Sequence, residues 1–66
     1  MIIIINGQSR QLAEPLTIEE LLRRLEMPSR GVAVEVNYKI VRRAEHATWQ
    51  LADGDRLEIV SLVGGG

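Results

Sequence analysis

The sequence of 66 residues has no cysteine, no phenylalanine, one tryptophan, one tyrosine and one histidine. Each shortage closes off a class of function. Without cysteine there is no disulfide framework, no thiolate nucleophile and no thiolate metal site, so the fold has to rest on packing. With Trp49 and Tyr38 as the whole aromatic complement, the chain lacks the stacking platforms of a single-strand binder. Its net charge of −1 lacks the basic excess that phosphate-backbone binding needs, so no nucleic-acid partner is expected. Arg23, Arg24, Arg30, Lys39, Arg42 and Arg43 make local positive ground, but acids on the same segments turn it into a mixed, solvated surface. Long apolar runs are also missing. The four isoleucines after Met1 are far too short for a signal peptide's apolar region or a membrane span, and a soluble, cytoplasmic protein with no membrane partner is expected.

The same scarcity limits catalysis. His46, beside Glu45, is a single imidazole among scattered carboxylates, which does not make a metal site, and it is expected on the surface. Ser9, Ser29 and Ser61 have no base within a recognisable spacing. Glu19 and Glu20 are neighbours on a helix, where adjacent side chains point apart, so they read as helix-start charges rather than an acid and base pair. Trp49 is expected as a partly buried packing residue. No catalysis by this chain, no bound cofactor and no metal are expected.

What is present is a patterned small domain, 45% hydrophobic, of a size that buries roughly 60% of its unfolded surface. The stretch Met1 to Asn6, "MIIIIN", is a β-branched run that meets Asn6-Gly7, a strong hairpin signal because both residues tolerate positive φ. A return strand over about Gln8 to Leu12, carrying Arg10 and Gln11, suits a protected sheet edge. In "LTIEELLRRLEMP", Thr17 and Glu20 form a capping box and Leu16 can staple onto Leu21. Ile18, Leu21, Leu22 and Leu25 then make one apolar face, while Glu19 with Arg23 and Glu20 with Arg24 pair on the other. Pro28 disfavours helical geometry at Met27, which predicts a helix over Ile18 to Glu26. Next, Val32, Val34 and Val36 alternate with Ala33 and Glu35 in a strand, and a turn at Asn37-Tyr38-Lys39 leads to a short strand at Ile40 and Val41. Ala44 to Gln50 is ambiguous, with a helical turn as one reading. Asp53-Gly54-Asp55 turns the chain into a last strand, "RLEIVSLV".

This ββαββ order, with the two most apolar strands side by side and parallel at the centre, describes an α+β fold of the β-grasp (ubiquitin-like) type. It is a mixed sheet with one helix packed across one face. A single domain over 1–63 and a flexible glycine tail over 64–66 are expected. The Asn-Gly hairpin, "LTIEELL", "VAVEVNYKIV" and "DGDRLEIVSLVGGG" together resemble the sulfur carrier proteins of thiamin (thiazole) biosynthesis, within the ubiquitin-like superfamily. The resemblance implies that an ATP-dependent adenylating enzyme activates the Gly66 carboxylate and that sulfide from a cysteine desulfurase route replaces AMP to give a thiocarboxylate. Thiazole synthase then takes the sulfur. ATP is thus a substrate of the partner, not a cofactor of this chain. Three glycines rather than two depart from the ubiquitin-type ending.

The glycines suit that chemistry on physical grounds. An α-carboxylate is ionised at neutral pH and able to attack a phosphate, provided it is threaded into a site that excludes water. Gly64 and Gly65 make a thin thread without Cβ atoms, at an ordering cost of roughly 1–2 kcal/mol per residue that a docking surface has to offset. The strand period of two places Ile3, Ile5, Leu57 and Ile59 under the helix and Ile2, Ile4, Val60 and Leu62 on the uncovered side. Ile4, Val60, Leu62 and Val63 are therefore the expected docking residues, with Ala33 beside them; packing under a loop or in a homodimer is the alternative. Other readings of the chain are a sulfur carrier for molybdopterin synthesis, a ubiquitin-like protein modifier, and a plain binding module whose glycines are a frayed end.

Overall fold

The computed structural model describes residues 1–13, 15–28 and 30–62. Strands β1 (Ile2–Ile5) and β2 (Gln8–Gln11) form a hairpin, helix α1 (Ile18–Arg24) follows, and β3 (Val32–Val36) and β4 (Lys39–Val41) form a second hairpin. A 3-10 turn at Arg43–Glu45 then leads to β5 (Arg56–Ser61). The sheet runs β2-β1-β5-β3-β4, with β1 and β5 parallel and every other pairing antiparallel. This is the expected β-grasp arrangement, with the first and last strands adjacent at its middle.

Both hairpins are shaped by two residues with positive φ, the backbone that a two-residue turn matched to strand twist demands. At the first, Asn6 and Gly7 have φ of 49° and 82°. The Asn6 side chain then stands in for the backbone that has turned away: its Oδ1 accepts from the Ile59 amide at 2.8 Å and its Nδ2 donates to the Ile59 carbonyl at 3.1 Å. One amide side chain thus lengthens the parallel pairing of β1 with β5. At the second hairpin, Asn37 and Tyr38 have φ of 51° and 71°, and the Asn37 Oδ1 accepts from the Arg56 amide at 3.0 Å.

The start of α1 follows the sequence. Thr17 Oγ1 accepts from the Glu20 amide at 3.2 Å, and Glu20 Oε1 accepts from the Thr17 amide at 2.9 Å. The Ile18 and Glu19 amides, which no helical turn can satisfy, donate to the Trp49 and His46 carbonyls. These bonds, first the Thr17 amide and then its hydroxyl, with Arg24 and Arg23 nearby, hold the Glu20 carboxyl below its ordinary pKa.

The end of α1 departs from expectation. The helix stops at Arg24 rather than Glu26, because Glu26 takes a left-handed φ of 57°. Its amide then reaches back to the Arg23 carbonyl and that of Met27 to the Leu22 carbonyl, the paired bonds of a Schellman turn. Smaller departures occur at the strands: β2 ends at Gln11 rather than Leu12, and β5 is described to Ser61.

The core lies between α1 and one face of the sheet, where Ile3, Ile18, Val34 and Leu57 are each 0% exposed. His46 corrects the surface assignment, being buried at 4% exposure. The loop from Arg43 folds under the start of α1, and the ring satisfies itself on backbone: Nε2 lies 3.1 Å from the Val41 carbonyl, which can only accept, so Nε2 carries the proton. Trp49 is partly buried against the core, as expected.

Candidate functional site

A strand that buries alternate residues must present the others, and this sheet has one helix for two faces. On β5 the buried Leu57 and Ile59 alternate with Val60 at 54% exposure, and Leu62 just beyond is 67% exposed. Ile2 is 49% exposed at the start of β1, and Ile40 on the edge strand β4 reaches 75%. Isolated exposed apolar groups are ordinary, but these share one side of one sheet.

The ladder shows which of them meet. On the uncovered face Val60 lies opposite Ala33, and Glu58 lies opposite Glu35, which in turn lies opposite Ile40. Ile4, expected with Val60 among the docking residues, lies opposite Arg56 and is partly buried. Arg56 and Val60 are four positions apart on one strand, about 13 Å at the usual rise. Ile2 and Ile4 therefore belong to the far end of the face. The end nearer the glycines is built from Ala33, Val60 and Leu62, with Glu35, Glu58 and Ile40 in the next row. Leu62 is held there by its amide, which donates to the Gly31 carbonyl. Val63, Gly64, Gly65 and Gly66 lie outside the described residues.

Ile40 and the two glutamates were not anticipated as site residues. The alternation of Val32 to Val36 puts Glu35 outward, but no local pattern says that Glu58 faces it. Arg56, whose strand position shares this face, carries its guanidinium over the Tyr38 ring, 5.7 Å from the centroid.

A concavity lies on the helix side, a groove of about 610 Å³ between α1 and the 43–47 turn, lined by Glu19, Leu22, Arg23, Met27, Arg43 and His46 among others. Its imidazole is engaged with backbone, and Arg23 is 3.4 Å from Glu19. Among the described residues no group of three or more His, Asp or Glu is placed to hold a metal ion, and no helix is long and apolar enough to cross a membrane.

The profile of the ThiS family matches residues 3–66. Over 66 residues the chain is 35% identical to the sulfur carrier protein ThiS of Escherichia coli, covering 100% of both. It is also 46% identical to a thiazole synthase of Paramagnetospirillum magneticum, where all of the chain spans 20% of the relative's length. Among solved structures, the crystal structure of the thiamine biosynthesis protein ThiS from Geobacter metallireducens superposes with a TM-score of 0.84 at 32% identity, covering 100% of both chains.

Proposed function

Because the chain belongs to the ThiS family, the sulfur carriers of thiamine biosynthesis, we propose that it carries sulfur as a thiocarboxylate on Gly66 while docked through the uncovered sheet face. In the first step a Gly66 carboxylate oxygen attacks the α-phosphorus of ATP in an adenylating partner enzyme, and pyrophosphate leaves. Hydrosulfide derived from a cysteine desulfurase route then attacks the acyl carbon; AMP leaves and a proton is released. Thiazole synthase accepts the sulfur. The chain is co-substrate in each step, binds no cofactor of its own and works in the cytoplasm.

The observation that carries this reading is the placement of Val60 on β5 and Leu62 just beyond it, both more than half exposed and close in sequence to residues 63–66. A partner that covers them gains apolar burial beside the threaded segment. Completing the burial of two such side chains contributes about 2–4 kcal/mol, which offsets part of the roughly 3–6 kcal/mol needed to order three glycines; the rest of the interface supplies the remainder and the cost of association itself. The thiazole synthase relative supports the partner: there, a stretch similar to this whole chain shares one polypeptide with the synthase.

The test is the intact mass after incubation with ATP, magnesium, cysteine and an extract of the source cells, beside a Gly66-deleted control. A gain equal to exchanging one oxygen for sulfur, absent in the control, is expected. An unchanged mass, in an extract that thiocarboxylates a known carrier, overturns the reading. Conjugates of higher mass that survive denaturation without thiol would point to a protein modifier instead.

A further inference from the structure

The uncovered face carries a feature that a purely apolar docking surface does not need. Glu35 and Glu58 are direct partners across β3 and β5, in the middle of the sheet. Directly opposed side chains on one face have Cβ atoms about 4.5–5.5 Å apart, and like charges there destabilise the pair. Both residues are partly buried. Among the described residues, neither side chain takes part in an ion pair or a hydrogen bond. The arginine that shares their face does not relieve them, since Arg56 is drawn to the Tyr38 ring. Around the pair stand apolar groups: Ile40 on one side in the same row, Val60 and Ala33 in the next.

We infer that the partner docking on this face presents a cationic side chain, an arginine, that enters between Glu35 and Glu58 while apolar groups around it cover Val60, Leu62 and Ile40. The inference rests on the docking reading above and names the chemistry of the docked surface. A partner apolar at this point would strip water from two adjacent carboxylates and leave both unpaired, an uncompensated desolvation that opposes docking. A guanidinium has donors on two edges of a rigid plane, so it can bond both carboxylates at once, where an ammonium acts as a point charge. A second copy of this chain is a poor occupant. A two-fold contact centred on the pair would set four carboxylates together, with Arg56 held aside. Repulsion in the free carrier thus becomes attraction in the complex, which favours capture by a partner that brings the cation.

The signature is a pair of effects with opposite signs. The probe is purified thiazole synthase of the source organism, titrated with wild-type carrier, with the Glu35→Gln/Glu58→Gln double variant and with Val60→Asp, beside thermal melts of each free carrier. The double variant is expected to melt at or above the wild-type temperature and to bind about tenfold or more weakly, with a flatter dependence of affinity on salt. Binding unchanged in the double variant but lost in Val60→Asp overturns the arginine and leaves the docking reading standing. Binding unchanged in both overturns the two together. A double variant that melts lower than wild type shows that the glutamates do not repel in the free chain, and overturns the inference at its premise.

Discussion

The two faces of one sheet are built from the same strands and do opposite things. On β5, Leu57 at 0% exposure packs under the helix, while Val60, three residues on, stands 54% exposed on the other side. On β3, Val34 is fully buried while its neighbour Glu35 looks outward at Glu58. Both faces are rich in aliphatic side chains, so hydrophobicity does not separate them. What separates them is the helix, which one face has and the other lacks. The difference shows how a chain of 66 residues, with one helix on one face of its sheet, holds a core and still presents an apolar outer face: the strand period of two gives alternate residues to each side.

The hardest test of that division is to remove equal chemistry from each face. Leu57→Ala empties a fully enclosed site, opposite Ile5 on β1 and Val36 on β3, and is expected to cost about 2–5 kcal/mol, a large part of the stability of a domain this small. Val60→Ala removes side-chain atoms that already touch water and is expected to change stability by less than about 0.5 kcal/mol. Urea unfolding curves of the two variants decide the matter; comparable losses would mean that the outer face is structural.

Val60→Asp sharpens the same contrast on the functional side. It is expected to leave the melting free energy within about 1 kcal/mol of wild type, the span of strand preferences, while lowering the rate of adenylation at limiting partner concentration by tenfold or more. Unaltered adenylation kinetics would remove Val60 from the docking surface.

These assignments differ in how far they could be read from residue order. The division of β5 into faces was legible, because alternation is local, and so was the start of α1, because Thr17 and Glu20 sit three apart. The end of α1 was not: Pro28 marks a stop, but the stop comes earlier through a left-handed Glu26, a conformation for which glycine or asparagine is the usual sign. His46 was misread because burial of an imidazole depends on a carbonyl that the fold brings to it, here that of Val41. Position along the strands was equally hidden. Alternation says which face a residue takes, but Ile4 meeting Arg56, and Glu35 meeting Glu58, are set by register between strands far apart in the chain.

The helix that makes the two faces unequal can itself be loosened from its first turn. Thr17→Ala removes the side-chain acceptor of the Glu20 amide and is expected to cost about 1 kcal/mol, a shift of several degrees in the melting temperature for a domain of this size. The loss falls on the covered face alone, so affinity for a partner on the other face should be unchanged once the variant is folded. A cap variant that binds more weakly at full folding would couple the faces and break the comparison.

The smallest effect concerns the charge at that same cap. The Thr17 amide and hydroxyl hold the Glu20 carboxyl below its ordinary pKa, so the folded state keeps the ionised form to lower pH than the unfolded chain does. A depressed folded-state pKa contributes stability that is present above the unfolded carboxylate range and lost as pH falls through the folded value. Glu20→Gln keeps a side chain able to accept from the Thr17 amide, as a capping box allows, but removes the titration. Melting temperatures of wild type and variant are therefore expected to separate at neutral pH, with wild type the more stable, and to converge in acid below the folded pKa. Because Glu20 is fully exposed, the separation should shrink further with added salt. Curves that stay parallel through the acid range would show that the cap acts through its hydrogen bonds alone, with the charge adding nothing to the cover over the buried face.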